Sequence, residues 1–115
     1  MMPPLDDKGK KFLHDILEAI SHIENFTSGF SFNEYENDLL VRRAVERELE
    51  IIGEAMNKLL ILSPTIEIRH ARRIVDLRNR VIHGYDKVDN GVIWGVIKKH
   101  LPNLNQEVAG ILEMS

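Results

Sequence analysis

At 115 residues, 43% of them hydrophobic and none of them cysteine, the chain is sized for one domain whose apolar core must fold without cross-links. The missing cysteines exclude a disulfide framework, a zinc-thiolate site and thiol catalysis, and a net charge of −3 argues against a non-specific nucleic-acid coat, which needs a broad basic surface. No apolar run approaches the roughly 20 residues that cross a bilayer, and Met1-Met2-Pro3-Pro4-Leu5-Asp6-Asp7 lacks the basic and apolar regions of a signal peptide, so the expectation is a soluble cytoplasmic protein with no membrane partner.

A first helix is predicted from about Asp6 to Phe26, where Phe12, Ile16, Leu17, Ile20 and Ile23 recur at helical spacing and Thr27-Ser28-Gly29 supplies the stop. A second, longer helix is predicted from about Asn33, a good N-cap type, to Leu62, with Val41, Val45, Leu49, Ile52, Met56 and Leu59 in one stripe. Ser63-Pro64 stops it, and Pro64 is expected to open a third helix that runs to about Ile82, bends near Ile68 and closes at Gly84. Asp89-Asn90-Gly91 is a capping turn for a fourth helix bearing Val92, Ile93, Val96 and Ile97, and Pro102 opens a short fifth helix to about Leu112. No stretch alternates polar and apolar residues long enough to make a strand. The predicted fold is therefore all-α, an antiparallel four-helix bundle with a short additional C-terminal helix, forming a single domain over residues 1–115 with no repeat, low-complexity tract or linker.

Charge is unevenly spread along this framework. Residues 69–87 carry Arg69, Arg72, Arg73, Arg78, Arg80 and Lys87 against Asp76 and Asp86, a local net charge of +4. That suits either anion binding or a solvated helix face pairing with acidic neighbours. One of these arginines breaks the pattern. The apolar positions of the third helix are Ala71, Ile74, Val75 and Ile82, and stepping by fours from Ile74 to Ile82 lands on Arg78. A guanidinium in an apolar stripe needs either an acidic partner, such as Glu46, Glu50 or Glu54 on the second helix, or a place beside a cleft or subunit interface.

Arg78 begins the string Arg78-Asn79-Arg80-Val81-Ile82-His83-Gly84-Tyr85. On a straight helix Arg78 and His83 stand about 7.5 Å and 140° apart. They converge only if the helix ends at His83 or if an identical subunit supplies a second copy across a two-fold axis. These residue types suit RNA cleavage without a metal or other cofactor. A neutral imidazole removes the ribose 2′-hydroxyl proton, the imidazolium then protonates the leaving 5′-oxygen, and the arginine neutralises the phosphorane between those events. Asn79 can orient the arginine or donate to a phosphate oxygen, and Tyr85 can hydrogen-bond the phosphate or stack on a base. A purely architectural reading stands beside this one: His83 as a histidine favoured at a helix C-terminus, Gly84 as its cap and Tyr85 folded onto the core.

The eight-residue string resembles the Arg-x4-His-x-Tyr motif of the HepT-like toxins of the HEPN superfamily. The stretch Arg43-Ala44-Val45-Glu46-Arg47-Glu48-Leu49-Glu50-Ile51-Ile52-Gly53-Glu54-Ala55 is similar to that family's long second helix, and Val88-Asp89 with Ile93-Trp94 resembles the family's segment C-terminal to the motif. The resemblance implies that Arg78 and His83 are the catalytic pair, with Asn79, Arg80 and Tyr85 in supporting and RNA-binding positions. It further implies a homodimer in which two motifs line one cleft, a metal-independent endoribonuclease acting on transfer or messenger RNA as the toxin of a toxin-antitoxin pair, and an MNT-type minimal nucleotidyltransferase antitoxin that silences it by transferring AMP to Tyr85. The added anion would repel the RNA backbone as a phosphate does. One departure is visible: the family commonly has a tryptophan early in the third helix, where this chain has Ile66 and Ile68 ahead of Arg69-His70.

Other constellations are weaker. Glu67 and His70 have the Glu-x-x-His spacing of di-iron bundles but occur once, and such a site needs a second copy. His14, Glu18 and His22, at steps of four, read as a solvated face rather than metal ligands. Trp94 and Tyr35 are assigned to the core or the dimer interface. The alternative to the ribonuclease is a non-catalytic HEPN module that binds a nucleotide or partners a nucleotidyltransferase as an accessory subunit.

Overall fold

The computed structural model describes residues 5–83 and 89–114, with Ile82 and His83 described through their backbone alone. The described residues are all-helical, in the order α1 (Asp7–Thr27), α2 (Phe32–Glu36), α3 (Leu39–Leu62), α4 (Ala71–His83), α5 (Asn90–Gly95), a five-residue π-helical segment (Val96–His100) and α6 (Leu101–Met114).

Helix α1 starts where the Asp6 carboxylate accepts the Gly9 N–H at 2.9 Å, satisfying a donor that the first turn leaves open. It ends where Thr27 folds its hydroxyl back onto the Ile23 carbonyl at 2.8 Å and Gly29 takes a φ of 78°, a conformation open to glycine without steric cost. The long second helix expected from Asn33 is instead two helices. Ser31, not Asn33, caps the first of them through a reciprocal capping box with Glu34. Asn37 closes that helix, and the Asp38 carboxylate caps α3 by accepting the Val41 N–H at 3.0 Å. Two adjacent side chains that bond backbone so readily offer an alternative to continuous helix, and the chain takes it.

The third helix also starts later than expected, at Ala71 rather than Pro64. In the connection, Ile66 and Ile68 are buried while Glu67 and Arg69 are exposed, a period of two that a helix cannot satisfy. His70 then adopts a φ of 61°, which no α-helix accommodates. Conversely, the fourth and fifth predicted helices form one rod from Asn90 to Met114. Pro102 does not break it because the preceding turn widens: the Leu101 N–H reaches the Val96 carbonyl five residues back. That π turn absorbs the proline ring, which would otherwise collide with the Lys98 carbonyl.

The core lies between α1, α3, α4 and the α5–α6 rod. Leu13, Ile16, Ile20 and Ile23 of α1 meet Val45, Leu49, Ile52, Met56 and Leu59 of α3, and the rod adds Ile93, Ile97, Leu101, Leu104, Val108 and Ile111. Each such side chain contributes about 1.5–3 kcal/mol through its removal from water. Tyr35 is fully buried and packs on Trp94 with ring centroids 5.2 Å apart, the Phe32 ring lies 6.3 Å from that of Trp94, and Lys98 stands 4.7 Å over the Trp94 ring. No helix among the described residues is long and apolar enough to cross a membrane.

Candidate active site

The position of Arg78 is decided by a glycine on the neighbouring helix. A Cβ built on Gly53 of α3 would lie 2.1 Å from Arg78 Cβ, 2.6 Å from Arg78 Cγ and 3.3 Å from the Ile74 carbonyl oxygen. Carbon atoms that do not share a bond rest at about 3.5–4.0 Å, so α4 reaches this depth only because residue 53 has no side chain. Ala71 and Val75 fill the rest of the same face. The arginine in the apolar stripe is thus half-buried, its aliphatic stem lying over Gly53.

None of the three candidate acidic partners of Arg78 engages it. Glu46 pairs with Arg43 at 3.1 Å, Glu50 with Arg47 at 3.1 Å and Glu54 with Lys58 at 3.2 Å, all on their own helix. Instead Arg78 Nη1 donates to Asn79 Oδ1 at 2.8 Å, so Asn79 holds the guanidinium. Arg78 Nε is buried without a hydrogen-bond partner among the described residues. A buried donor left open costs about 1–3 kcal/mol, more when charged. The Arg78 side chain is thus fixed at both ends, its stem over Gly53 and its Nη1 on Asn79, a preorganised cation of the kind that stabilises an anionic transition state.

Helix α4 continues to His83, so on this helix Arg78 and His83 keep the separation of about 7.5 Å and 140°. The helix brings Arg78 and Asn79 together and sets His83 at its last position. Arg80, two residues on and about 200° round the helix from Arg78, is exposed and lines a groove on the opposite face of α4. The His83 side chain, Gly84 and Tyr85, and with them the proposed AMP acceptor, lie outside the described residues.

Several neighbours of the site are absent from the expectations drawn on sequence. Gly53 is the chief one, and a glycine inside a 24-residue helix was the available clue, because it costs roughly 0.5–1 kcal/mol relative to alanine and needs a reason to be there. Arg42 is another, grouped with Tyr35 and Glu46 through its charge. The eight-residue connection between α3 and α4, with Gly53 against Arg78, makes the two helices an antiparallel pair, and Glu46 sits about 10.5 Å along α3 from Gly53, beyond the level of His83, which is about 7.5 Å along α4 from Arg78. Burial pushes the Tyr35 phenol up to about 12, with Glu46 adding to the shift and Arg42 opposing it. The Tyr35 hydroxyl and Arg42 Nε are both buried without a partner among the described residues. On the far side of α3, Glu48 is buried and accepts from His22 Nδ1 at 2.6 Å, which ties His22 to α3, while its Nε2 stands 4.0 Å from Glu18 on its own helix. Among the described residues no three His, Asp or Glu side chains gather in a metal-binding group.

The family described as Ribonuclease HepT-like matches residues 16–111. Among curated proteins, the chain is 40% identical over 99 residues to the probable ribonuclease HepT of Thermococcus cleftensis, covering 83% of this chain and 87% of that protein. Two further relatives carry RNase in their names. MJ1380 of Methanocaldococcus jannaschii is 37% identical over 103 residues (86% of this chain, 92% of the relative), and TTE0752 of Caldanaerobacter subterraneus subsp. tengcongensis is 32% identical over 108 residues (90% and 94%). No solved structure matches the chain. The family match spans nearly all of α1 to α6, including the Gly53–Arg78 crossing, and the chain belongs to the HepT-like ribonuclease family.

Proposed function

We propose that this protein is a cytoplasmic, metal-independent endoribonuclease, the toxin of a toxin-antitoxin pair, that cuts RNA with Arg78 and His83. The observation that carries the reading is Arg78 itself: a guanidinium seated over Gly53, oriented by Asn79, with a buried Nε that no described protein group satisfies. In the step proposed, neutral His83 takes the proton of a ribose 2′-hydroxyl, the 2′-oxygen attacks the adjacent phosphorus, and the bond to the 5′-oxygen breaks as the imidazolium returns that proton. The products are a 2′,3′-cyclic phosphate and a free 5′-hydroxyl, and Arg78 stabilises the phosphorane between them.

The divergence of Arg78 and His83 on one helix supports a homodimer in which each cut uses the motifs of two chains. Tyr85 is the proposed site at which a nucleotidyltransferase antitoxin adds AMP, placing an anion where the RNA phosphate must lie. Purified protein incubated with end-labelled transfer and messenger RNA in EDTA tests the activity. Wild type is expected to cut at discrete positions and His83→Ala to leave the RNA whole; identical intact RNA from both sinks the reading. Intact mass after co-expression with a neighbouring nucleotidyltransferase tests the regulation, with AMP adducts expected on wild type and none on Tyr85→Phe. Unmodified wild type bound stoichiometrically to that enzyme would instead make the chain an accessory subunit.

A further inference from the structure

The arginines of α4 are divided between two faces, and only one of those faces belongs to the Arg78 site. On the other, α4 and the α5–α6 rod enclose a groove of about 790 Å³. Arg69, Arg73 and Arg80 line it, with Arg73 and Arg80 two turns and about 10.5 Å apart along the helix. Its floor is apolar, made by Ile74, Leu77, Val92 and Val96, and Asn103 and Gln106 add carboxamides from α6.

The guanidiniums in this groove have no ion-pair partner among the described residues. Four cations elsewhere find carboxylates one turn away, in Lys11–Asp15, Arg43–Glu46, Arg47–Glu50 and Lys58–Glu54. Asp76 and Glu107 share the groove with the three arginines, yet among the described residues none of the three forms an ion pair. Glu107 accepts the backbone N–H of Arg69 at 2.9 Å, which pins the start of α4 to α6 through the backbone and not through the Arg69 guanidinium.

Next to it His70 holds a φ of 61°, a conformation that costs a residue with a Cβ roughly 1–2 kcal/mol. That backbone sets the His70 ring edge-on to His100, with centroids 6.4 Å apart, at the groove wall. Spaced guanidiniums above an apolar floor, with imidazole planes beside them, suit a phosphodiester strand whose bases are unstacked and exposed. A duplex hides its bases and is too wide to enter a cleft of this size, which holds about one or two nucleotides.

We infer that this groove binds a single-stranded stretch of the RNA beyond the point of cleavage, its phosphates on Arg69, Arg73 and Arg80 and its bases against His70, His100 and the apolar floor. The link to cleavage rests on the ribonuclease reading above; the binding site itself does not. The test uses the full chain carrying His83→Ala, titrated against a fluorescein-labelled oligouridine by fluorescence anisotropy over a range of salt, with and without Arg69→Gln/Arg73→Gln. Both arginines are exposed, and circular dichroism checks that the double variant keeps its helices.

Loss of two phosphate contacts is expected to weaken binding about tenfold and to flatten the slope of log affinity against log salt by about 1.4. Equal affinity and slope overturn the proposal, as does a fully paired RNA duplex that binds as tightly as the single strand and is weakened as much by the double variant. A second readout uses chains with His83 intact, where the preference for cutting a long strand over a dinucleotide is expected to shrink about tenfold in kcat/KM when Arg69 and Arg73 are replaced. If wild type cuts nothing but the double variant still loses oligouridine, the ribonuclease reading fails and the groove stands. If cleavage is intact and oligouridine binding is unchanged, the groove fails and the ribonuclease reading stands.

Discussion

Replacing Gly53 by alanine perturbs the Arg78 site without touching any ionisable group. The added methyl would sit 2.1 Å from Arg78 Cβ, whereas two such carbons rest at about 3.5–4.0 Å. Both atoms are fixed to their backbones, so no side-chain rotation relieves the overlap, and α4 must retreat by about 1.5 Å, the difference between these distances. Overpacking of this kind costs about 1–3 kcal/mol, and the better helix propensity of alanine returns about 0.5–1 kcal/mol. The net destabilisation of about 1–2 kcal/mol should lower Tm by roughly 5–10 °C in a domain of this size.

The effect on chemistry should be larger than the effect on folding, because a displacement of about 1 Å at a reacting group costs on the order of 100-fold in rate. Thermal unfolding by circular dichroism and single-turnover cleavage of labelled RNA measure the two. Gly110→Ala is the control, since nothing lies within 4 Å of a Cβ at that position; it should keep full activity and gain stability. If Gly53→Ala cuts RNA at the wild-type rate and melts at the wild-type temperature, Arg78 is not held by this crossing and the description of the site is wrong.

Replacing Asn79 with alanine should free the Arg78 guanidinium and lower the cleavage rate about tenfold with little change in Tm, the cost of one positioning hydrogen bond; a loss of stability with unchanged rate would make Asn79 a structural residue only. Removing the imidazole of His22 leaves the buried Glu48 carboxylate without its partner, so His22→Ala should cost about 1–3 kcal/mol in urea unfolding, and adding Glu48→Gln should return part of it; two strictly additive losses would mean that the pair is not coupled. The Tyr35 phenol, held neutral up to about 12 by burial, ionises in the unfolded chain near its ordinary value of about 10. Its contribution to stability is therefore fully present below about pH 10 and is lost as pH rises toward 12. The alkaline unfolding midpoint should rise in Tyr35→Phe, followed by circular dichroism, and an unmoved midpoint counts against burial as the cause. Asp38→Ala should lower stability by about 1 kcal/mol through loss of the α3 N-cap, read as a shift in Tm; an unchanged Tm would show that the cap hydrogen bond is not formed in solution.

The apolar stripes on α1 and α3 are readable from the sequence because burial on one face of a helix imposes its period directly on residue choice. The ends of helices are less so. Asn37-Asp38 looks like interior helix until its two side chains are seen capping opposite helices, and Pro102 makes no stop because a π turn, a non-local adjustment of hydrogen bonding, absorbs the ring. Residues 64–70 depart from expectation for a related reason: Pro64 is a legitimate first helical residue, but burial of Ile66 and Ile68 outweighs that local preference.

At the site, the anomaly at Arg78 is legible as a charge in a stripe of apolar residues, and its resolution is not. Nothing in α4 names Gly53, which is 25 positions earlier, and the three nearby carboxylates look equally able to accept the guanidinium until their own-helix partners are placed. The +4 segment is visible as a count, but only the helical rotation between residue 78 and residue 80 shows that its charges serve two faces.

The most direct test of a ribonuclease centre shared between two chains is complementation between dead subunits. Arg78→Ala and His83→Ala chains are purified separately, mixed in equal amounts, allowed to exchange, and assayed for cleavage of end-labelled RNA in EDTA. If each cut takes its arginine from one chain and its histidine from the other, half of the dimers are mixed and each has one intact pair, so the mixture should recover about a quarter of wild-type activity while either variant alone stays inactive. Cleavage by His83→Ala alone would contradict the catalytic role of the motif, and a mixture as inactive as its components would contradict the shared cleft.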